Sequence, residues 1–255
     1  MRLRIFNILN KTIGTTVRLF QRFLIRYEIR PKDPIRLINE EAMQDSANYG
    51  TKNFLEALQF RTIDREVFWD YCLSKSKALQ PVSIEAKNKK QFLGRGIIAE
   101  FGVFKGKSIN FFAKSCPNAQ VYGFDSFLGL EEDWGGWILP AGTFNTNGIM
   151  PKCESNVKLY KGWFTDTVPS FQIELGDKEI SLLHIDSDTY KPAKYVLNAL
   201  VKNLRPGSII IFDEYYGYTG WRLHEFKAFQ EFVVDHELKY KYIAYTREQV
   251  AVEIL

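Results

Sequence analysis

The 255-residue sequence holds only three cysteines, Cys72, Cys116 and Cys153, and none of them forms a CxxC pair. An odd, scattered set makes a disulfide scaffold unexpected and suits a reducing cytoplasm. The three histidines, His184, His224 and His236, lie far from these cysteines, which removes a zinc cluster. No uncharged run reaches the roughly 18 residues of a membrane span. The short apolar block and small-residue cleavage site of a secretory signal are also missing. There is no low-complexity tract, no repeat at solenoid periods and no GxGxxG fingerprint of dinucleotide binding. The composition that remains, 45% hydrophobic and 25% charged, is that of an ordinary globular chain able to bury one sizeable core.

Net charge is +4, but it is unevenly placed. Residues 1–32 carry eight basic side chains (Arg2, Arg4, Lys11, Arg18, Arg22, Arg26, Arg30, Lys32) against Glu28 alone, a surplus of seven. The remainder has 26 basic and 29 acidic residues, so the body is slightly acidic and general nucleic-acid binding is not expected. In the basic segment Phe6, Leu9, Ile13, Val17, Phe20, Leu24 and Tyr27 recur at helical spacing, with Arg4, Lys11, Arg18 and Arg22 on another face. Pro31 and Pro34 stop the pattern. Three readings stay open: a helix packed on the body or on a second subunit, an interfacial helix on anionic membrane, and a mitochondrial-type presequence.

A polar linker is expected over 31–53, then helices near 54–60 and 64–79. From residue 96 short apolar runs alternate with helical stretches: Ile97–Phe101, Val121–Phe124, Val157–Tyr160, Ser181–Ile185 and Ser208–Phe212, with helices near 107–116, 165–174 and 190–204. That alternation predicts a parallel sheet covered on both faces. Trp221–His236 reads as a helix, and Tyr240–Tyr245 with Gln249–Ile254 as a closing antiparallel pair. In open parallel sheets ligands bind beyond the carboxyl ends of the strands. The first strand ends in Ala99-Glu100-Phe101-Gly102-Val103-Phe104-Lys105-Gly106-Lys107-Ser108, where Gly102 permits close approach to a ligand and Gly106 with Ser108 opens the next helix. An acid at that strand end suits a cationic ligand better than a diphosphate. The second strand ends at Asp125, placed to accept hydrogen bonds from ribose hydroxyls; a turn-capping role is the plainer alternative for Asp125 taken alone.

These segments, with "YGFDSFLGLEEDW", "LLHIDSDTY" and "LRPGSIIIFDEY", resemble in order the motifs of the macrocin-type O-methyltransferase family over roughly residues 60–255. The resemblance implies a Rossmann-like class I methyltransferase fold: a mostly parallel seven-stranded sheet with a C-terminal antiparallel strand pair and an N-terminal helical extension. It implies S-adenosylmethionine (SAM) bound along Glu100, Gly102, Phe104, Gly106 and Ser108. The ribose would lie on Asp125 beside Ser126, the adenine near Gly162, Trp163 and Phe164, and Asp186 also against the cofactor. Where the family has Gly-Leu-Pro-Glu after the second strand, this chain has Gly129-Leu130-Glu131-Glu132.

Strand four ends in His184-Ile185-Asp186-Ser187-Asp188 and strand five in Phe212-Asp213-Glu214. As neighbours these strands would gather Asp186, Asp213 and Glu214 around one point, an all-oxygen set suited to Mg²⁺, Mn²⁺ or Ca²⁺, with helix capping as the alternative role. In similar enzymes the metal holds and acidifies the acceptor hydroxyl. Asp188 is the expected general base. His184, on the same side of the pleat as Asp186, is a second catalytic candidate, with a buried structural histidine as the alternative. The aromatic loop Ser126–Asn156 and the group Tyr215, Tyr216, Tyr218 and Trp221 read either as acceptor-binding rims or as packing.

The expected division is 1–53, basic helix and linker, and 54–255, a SAM-dependent O-methyltransferase domain with Mg²⁺ as the metal. Its acceptor is a small molecule or glycan. The protein is expected in the cytoplasm as a homo-oligomer, with peripheral membrane contact if residues 1–30 meet lipid. A catalytically silent methyltransferase-like protein that docks through this helix is the alternative function.

Overall fold

The computed structural model describes residues 34–79, 83–86 and 89–255. The readings made for residues 1–30 lie outside them. The chain divides between Glu40 and Glu41 into two compact units. Of the first, Pro34–Glu40 is described, the opening turns of helix α1 (Pro34–Asn53), where Arg36 Nε pairs with Glu40 Oε1 at 2.9 Å. This helix replaces the expected linker. Proline fits the first turn of a helix, where its missing N–H removes no bond, and the polar sequence that follows carries no apolar stripe to reveal the helix. Tyr49 instead anchors it through single contacts, edge-on to Trp221 and Phe226 and hydrogen-bonded to the Tyr242 hydroxyl at 2.6 Å.

The second unit, from Glu41, is a three-layer α/β structure. The expected helix near 54–60 is absent; that stretch turns and forms the two-residue strand β1 (Leu58–Gln59). Helix α2 (Arg65–Lys75) follows, then a separate hairpin of β2 (Ser83–Ala86) and β3 (Lys89–Phe92), which sequence reading missed. The alternating part runs β4 (Ile97–Phe101), α3 (Lys107–Ser115), β5 (Gln120–Asp125), β6 (Val157–Lys161), α4 (Phe164–Leu175), β7 (Leu182–Ile185), α5 (Tyr190–Leu200) and β8 (Ile209–Phe212). Helix α6 (Glu225–Asp235) and the strands β9 (Tyr240–Tyr245) and β10 (Val250–Ile254) close the chain. The expected Trp221–His236 helix is broken at His224, with a 3-10 turn over Trp221–Leu223 before α6.

The sheet order is β1-β9-β10-β8-β7-β4-β5-β6. Strands β4 to β8 are parallel, and β10 runs antiparallel to both β8 and β9. The seven expected strands are present; β1, pairing parallel with β9, adds an eighth at the edge. Residue parity divides the core. Ala99, Phe101, Leu183, Ile185, Ile210 and Phe212 face α4, α5 and α6. Ile98, Val121, Leu182, Ile209 and Ile211 face α2 and α3. A Cβ at Gly123 would lie 2.3 Å from Ile109 Cδ1, so its absence sets how closely α3 packs on β5.

On the first face Phe171 of α4 is fully buried, with ring centroids 4.9 Å from Tyr122 and 4.9 Å from Phe124. Removing this ring deletes buried area and leaves a cavity between α4 and the sheet. Phe171→Ala should cost about 3–5 kcal/mol of stability in urea unfolding followed by circular dichroism. A loss below about 1 kcal/mol would show that the layer collapses around the gap.

Candidate active site

Glu100 and His184 are register partners on β4 and β7, and both point to the α2/α3 face. Asp213 follows β8 on the same parity, its N–H bonded to Ile185 O at 2.9 Å. The three side chains therefore lie side by side under the carboxyl ends of neighbouring strands. His184 is fully buried; its Nδ1 is 3.0 Å from Glu100 Oε2 and its Nε2 is 3.5 Å from Asp213 Oδ1. Burial disfavours the imidazolium, but the neighbouring Asp213 and Glu100 carboxylates outweigh it and raise the pKa to about 10. Asp213 also accepts a hydrogen bond from Gln249 Nε2, and its Oδ2 pairs with Arg65 Nη2 at 3.3 Å. Burial pushes its carboxyl up, but His184 and Arg65 hold it down at about 2. Glu100 Oε1 accepts the Ser108 hydroxyl at 3.0 Å.

Above this layer opens a cavity of about 280 Å³. Gly102, with φ of +102°, turns the chain out of β4, and a Cβ there would fall 1.7 Å from the carbonyl oxygen of Asp186. Only glycine allows that crossing. Asp125 pins the loop: its Oδ2 accepts the Val103 and Phe104 N–H groups at 2.9 and 2.7 Å, and its Oδ1 accepts Phe127 N–H at 2.6 Å. Phe104 is held at φ of +48°, a conformation that side chains other than glycine seldom adopt.

Asp186, Asp188 and Glu214 offer carboxylate oxygens that all lie within 4.8 Å of one another, and all three line the cavity. Burial, then the neighbouring acids, pushes each of the three well above the ordinary carboxylate range. Asp188 has a φ of +63°, backbone strain of the kind stored where a side chain must be aimed. Glu214 Oε2 is buried with no hydrogen-bond partner among the described residues. A buried, unpartnered carboxylate oxygen is costly unless a cation meets it, so this donor set fits an oxygen-liganded divalent ion. A second close set, His184, Asp186 and Asp213, fits less well because His184 carries a proton and Asp213 is already paired.

The expected residues are thus only partly brought together. Gly102, Phe104, Asp125, Ser126, Trp163, Phe164, Asp186, Asp188, Asp213 and Glu214 line the cavity. Glu100, Gly106, Ser108, Gly162 and His184 do not. Strand alternation turns the Glu100 carboxylate onto His184 and Ser108. His184 is buried between Glu100 and Asp213. Tyr215, Tyr216, Tyr218 and Trp221 are buried core rings and form no open rim. His224, half-buried, stacks beside Tyr218 at 6.3 Å, and burial lowers its pKa.

The loop after β5 is folded onto the cavity. Trp134 and Leu139 exchange backbone hydrogen bonds, Trp137 stacks on Tyr218 at 6.0 Å, and Glu132 pairs with Lys191 at 2.7 Å. Leu130, Trp134 and Phe144 supply apolar wall. Sequence reading missed Arg65, Gln249 and Glu225. None sits in a strand-end motif, and each reaches the site only through tertiary packing.

Residues 99–215 match the family described as Methyltransferase domain. No curated protein sequence matches the chain. The fold is similar to that of CalS11, a calicheamicin methyltransferase, with 20% identity, TM-score 0.58, and 88% of this chain and 94% of that one covered. An apo structure of CalS11, described as a TDP-rhamnose 3'-O-methyltransferase, gives a TM-score of 0.52 at 20% identity, over 88% and 96% of the two chains. The sheet order with its antiparallel β10 defines a class I methyltransferase fold. With the family match over its central strands, residues 99–215 carry a methyltransferase domain within that sheet. No described helix is long and apolar enough to cross a membrane.

Protonation of His184 gives the site a pH signature. Its folded pKa of about 10 lies above the roughly 6.5 of an unfolded histidine. The stability it contributes is therefore complete below pH about 6.5 and fades as pH rises through about 10. In urea unfolding, wild type should exceed His184→Gln by a margin that is largest near pH 6 and shrinks by pH 10. A margin unchanged across that range would show that the buried imidazole is neutral.

Proposed function

We propose that the protein is an O-methyltransferase that moves the methyl group of SAM to a hydroxyl of a sugar or glycosylated acceptor, assisted by a divalent cation, Mg²⁺ by first choice. The observation that carries this reading is the close set of Asp186, Asp188 and Glu214 at the cavity floor, with the buried, unpartnered Glu214 Oε2. The sugar acceptor draws support from the name of CalS11 and from the aromatic cavity wall. When bound, SAM supplies an electrophilic methyl group and the cation lowers the pKa of a hydroxyl oxygen beside it.

The chain's own residues do the rest. Asp125 holds the Val103–Phe104 turn in place and keeps one Oδ1 lone pair for a ribose hydroxyl, while Trp163 and Phe164 offer flat surface to the adenine. Asp186 and Glu214 hold the cation. Asp213, ion-paired with Arg65, would serve as a buttress beside them. Asp188 accepts the acceptor proton: burial, then Glu225, Asp213 and Asp125, raises its affinity for one. Leu130, Trp134 and Phe144 exclude water from the reacting atoms and limit the acceptor's orientations, a large part of the rate in a displacement that needs alignment.

Asp125→Ala frees three backbone amides as well as losing its ribose contact. S-adenosylhomocysteine (SAH) affinity should fall about 10- to 100-fold by calorimetry, for a loss of about 1–3 kcal/mol. Unchanged affinity would remove Asp125 from the cofactor site. Methyl transfer to an acceptor found by screening should stop in EDTA and return with Mg²⁺ or Mn²⁺. Asp186→Asn should abolish turnover while SAH affinity stays within a few-fold. Full turnover in chelator would overturn the metal reading.

A further inference from the structure

Glu225 opens α6 and its side chain is fully buried, yet it does not line the cavity. Its Oε1 accepts the Ser187 N–H at 3.1 Å and lies 3.5 Å from the Ser187 hydroxyl; its Oε2 accepts the Glu214 N–H at 3.2 Å. Ser187 stands between Asp186 and Asp188, and Glu214 follows Asp213. One carboxylate therefore ties the loop after β7 to the loop after β8. An acid in the first turn of a helix favours the helix dipole wherever its oxygens point. That role does not explain why both oxygens turn onto the backbones of two other loops. Nor does packing explain a negative side chain buried beside Asp186, Asp188 and Glu214, where charge is costly. A carboxylate is the side chain that accepts from two separate N–H groups with one oxygen each.

We propose that Glu225 is a positioning residue that sets the distance between the Asp186/Asp188 pair and Glu214, so that Asp186 and Glu214 meet a divalent cation without rearrangement and Asp188 stays beside it. The inference rests on the metal reading above. Glutamine in its place has the same shape but one acceptor oxygen; its amide NH₂ would face an N–H, and one loop would be released. Aspartate keeps both acceptors on a shorter stem.

The test compares wild type, Glu225→Gln and Glu225→Asp in the full-length protein. Mn²⁺ affinity is read by electron paramagnetic resonance, SAH affinity by calorimetry, and the Ser187 and Glu214 amide resonances by NMR. Expected for Glu225→Gln is a loss of about tenfold or more in Mn²⁺ affinity, a displaced resonance for at least one of the two amides, and SAH affinity within about threefold. Glu225→Asp should recover part of the Mn²⁺ affinity. Mn²⁺ affinity unchanged in Glu225→Gln overturns the inference and leaves the metal reading standing. Parallel loss of Mn²⁺ and SAH affinity in both variants also overturns it, because Glu225 then serves only the fold. If wild type itself binds no Mn²⁺, the metal reading fails and this inference falls with it.

Discussion

The constraint on which the site depends is the gathering of negative charge at the carboxyl ends of three neighbouring strands. Glu100, Asp186, Asp188, Asp213, Glu214 and Glu225 converge beneath and around one cavity, and the cations among them are His184 and Arg65. His184 stays protonated between Glu100 and Asp213 because two carboxylates in a dry layer stabilise its charge more than burial opposes it. This neutralises the lower layer and leaves the upper one, Asp186, Asp188 and Glu214, short of positive charge. Their raised proton affinity expresses that deficit; in the proposed reading a divalent cation completes the balance.

Strand pleat builds the two layers. Alternate residues of β4 and β7 feed the apolar core on one side and the Glu100–His184 pair on the other, so the same five-residue strand supplies both stability and electrostatics. Beyond the strand ends parity no longer applies, and turns aim the side chains. Gly102 passes over the Asp186 carbonyl, Asp125 clamps the following turn, and Asp188 is held in a left-handed backbone conformation. Strain at Phe104 is held by the Asp125 carboxylate on its N–H, and strain at Asp188 by its burial. The loop after β5 then closes over the floor through Trp134, Trp137 and the Glu132–Lys191 pair.

Much of this was legible in the linear chain. Short apolar runs alternating with helical periods specify a parallel sheet, because a strand buried on both faces must be apolar throughout and its crossover helix must carry one apolar stripe. Acids and glycines at the ends of those runs mark where a ligand binds, since strand ends open at the crevice. Asp125, Asp186, Asp188, Asp213 and Glu214 could be named on that ground alone, and they do line one cavity. Helix α1 could not: its Ile35, Leu37, Ile38 and Met43 form no buried stripe, and contacts of Tyr49 and Asp45 hold it.

Tertiary structure decided which way each side chain works. Glu100 follows a ligand-site pattern in sequence, but its pleat parity commits it to His184, because residues two apart share a face and Ile98 lies in the α2/α3 core. Arg65, Gln249 and Glu225 come from the start of α2, the turn before β10 and the start of α6, far apart in the chain. Nothing local marks them, since an ion pair or a buried hydrogen bond depends on distance in space. The strand motifs by themselves determined the fold and the carboxylates. Packing between distant segments determined which of those carboxylates are neutralised and which remain open to the cavity.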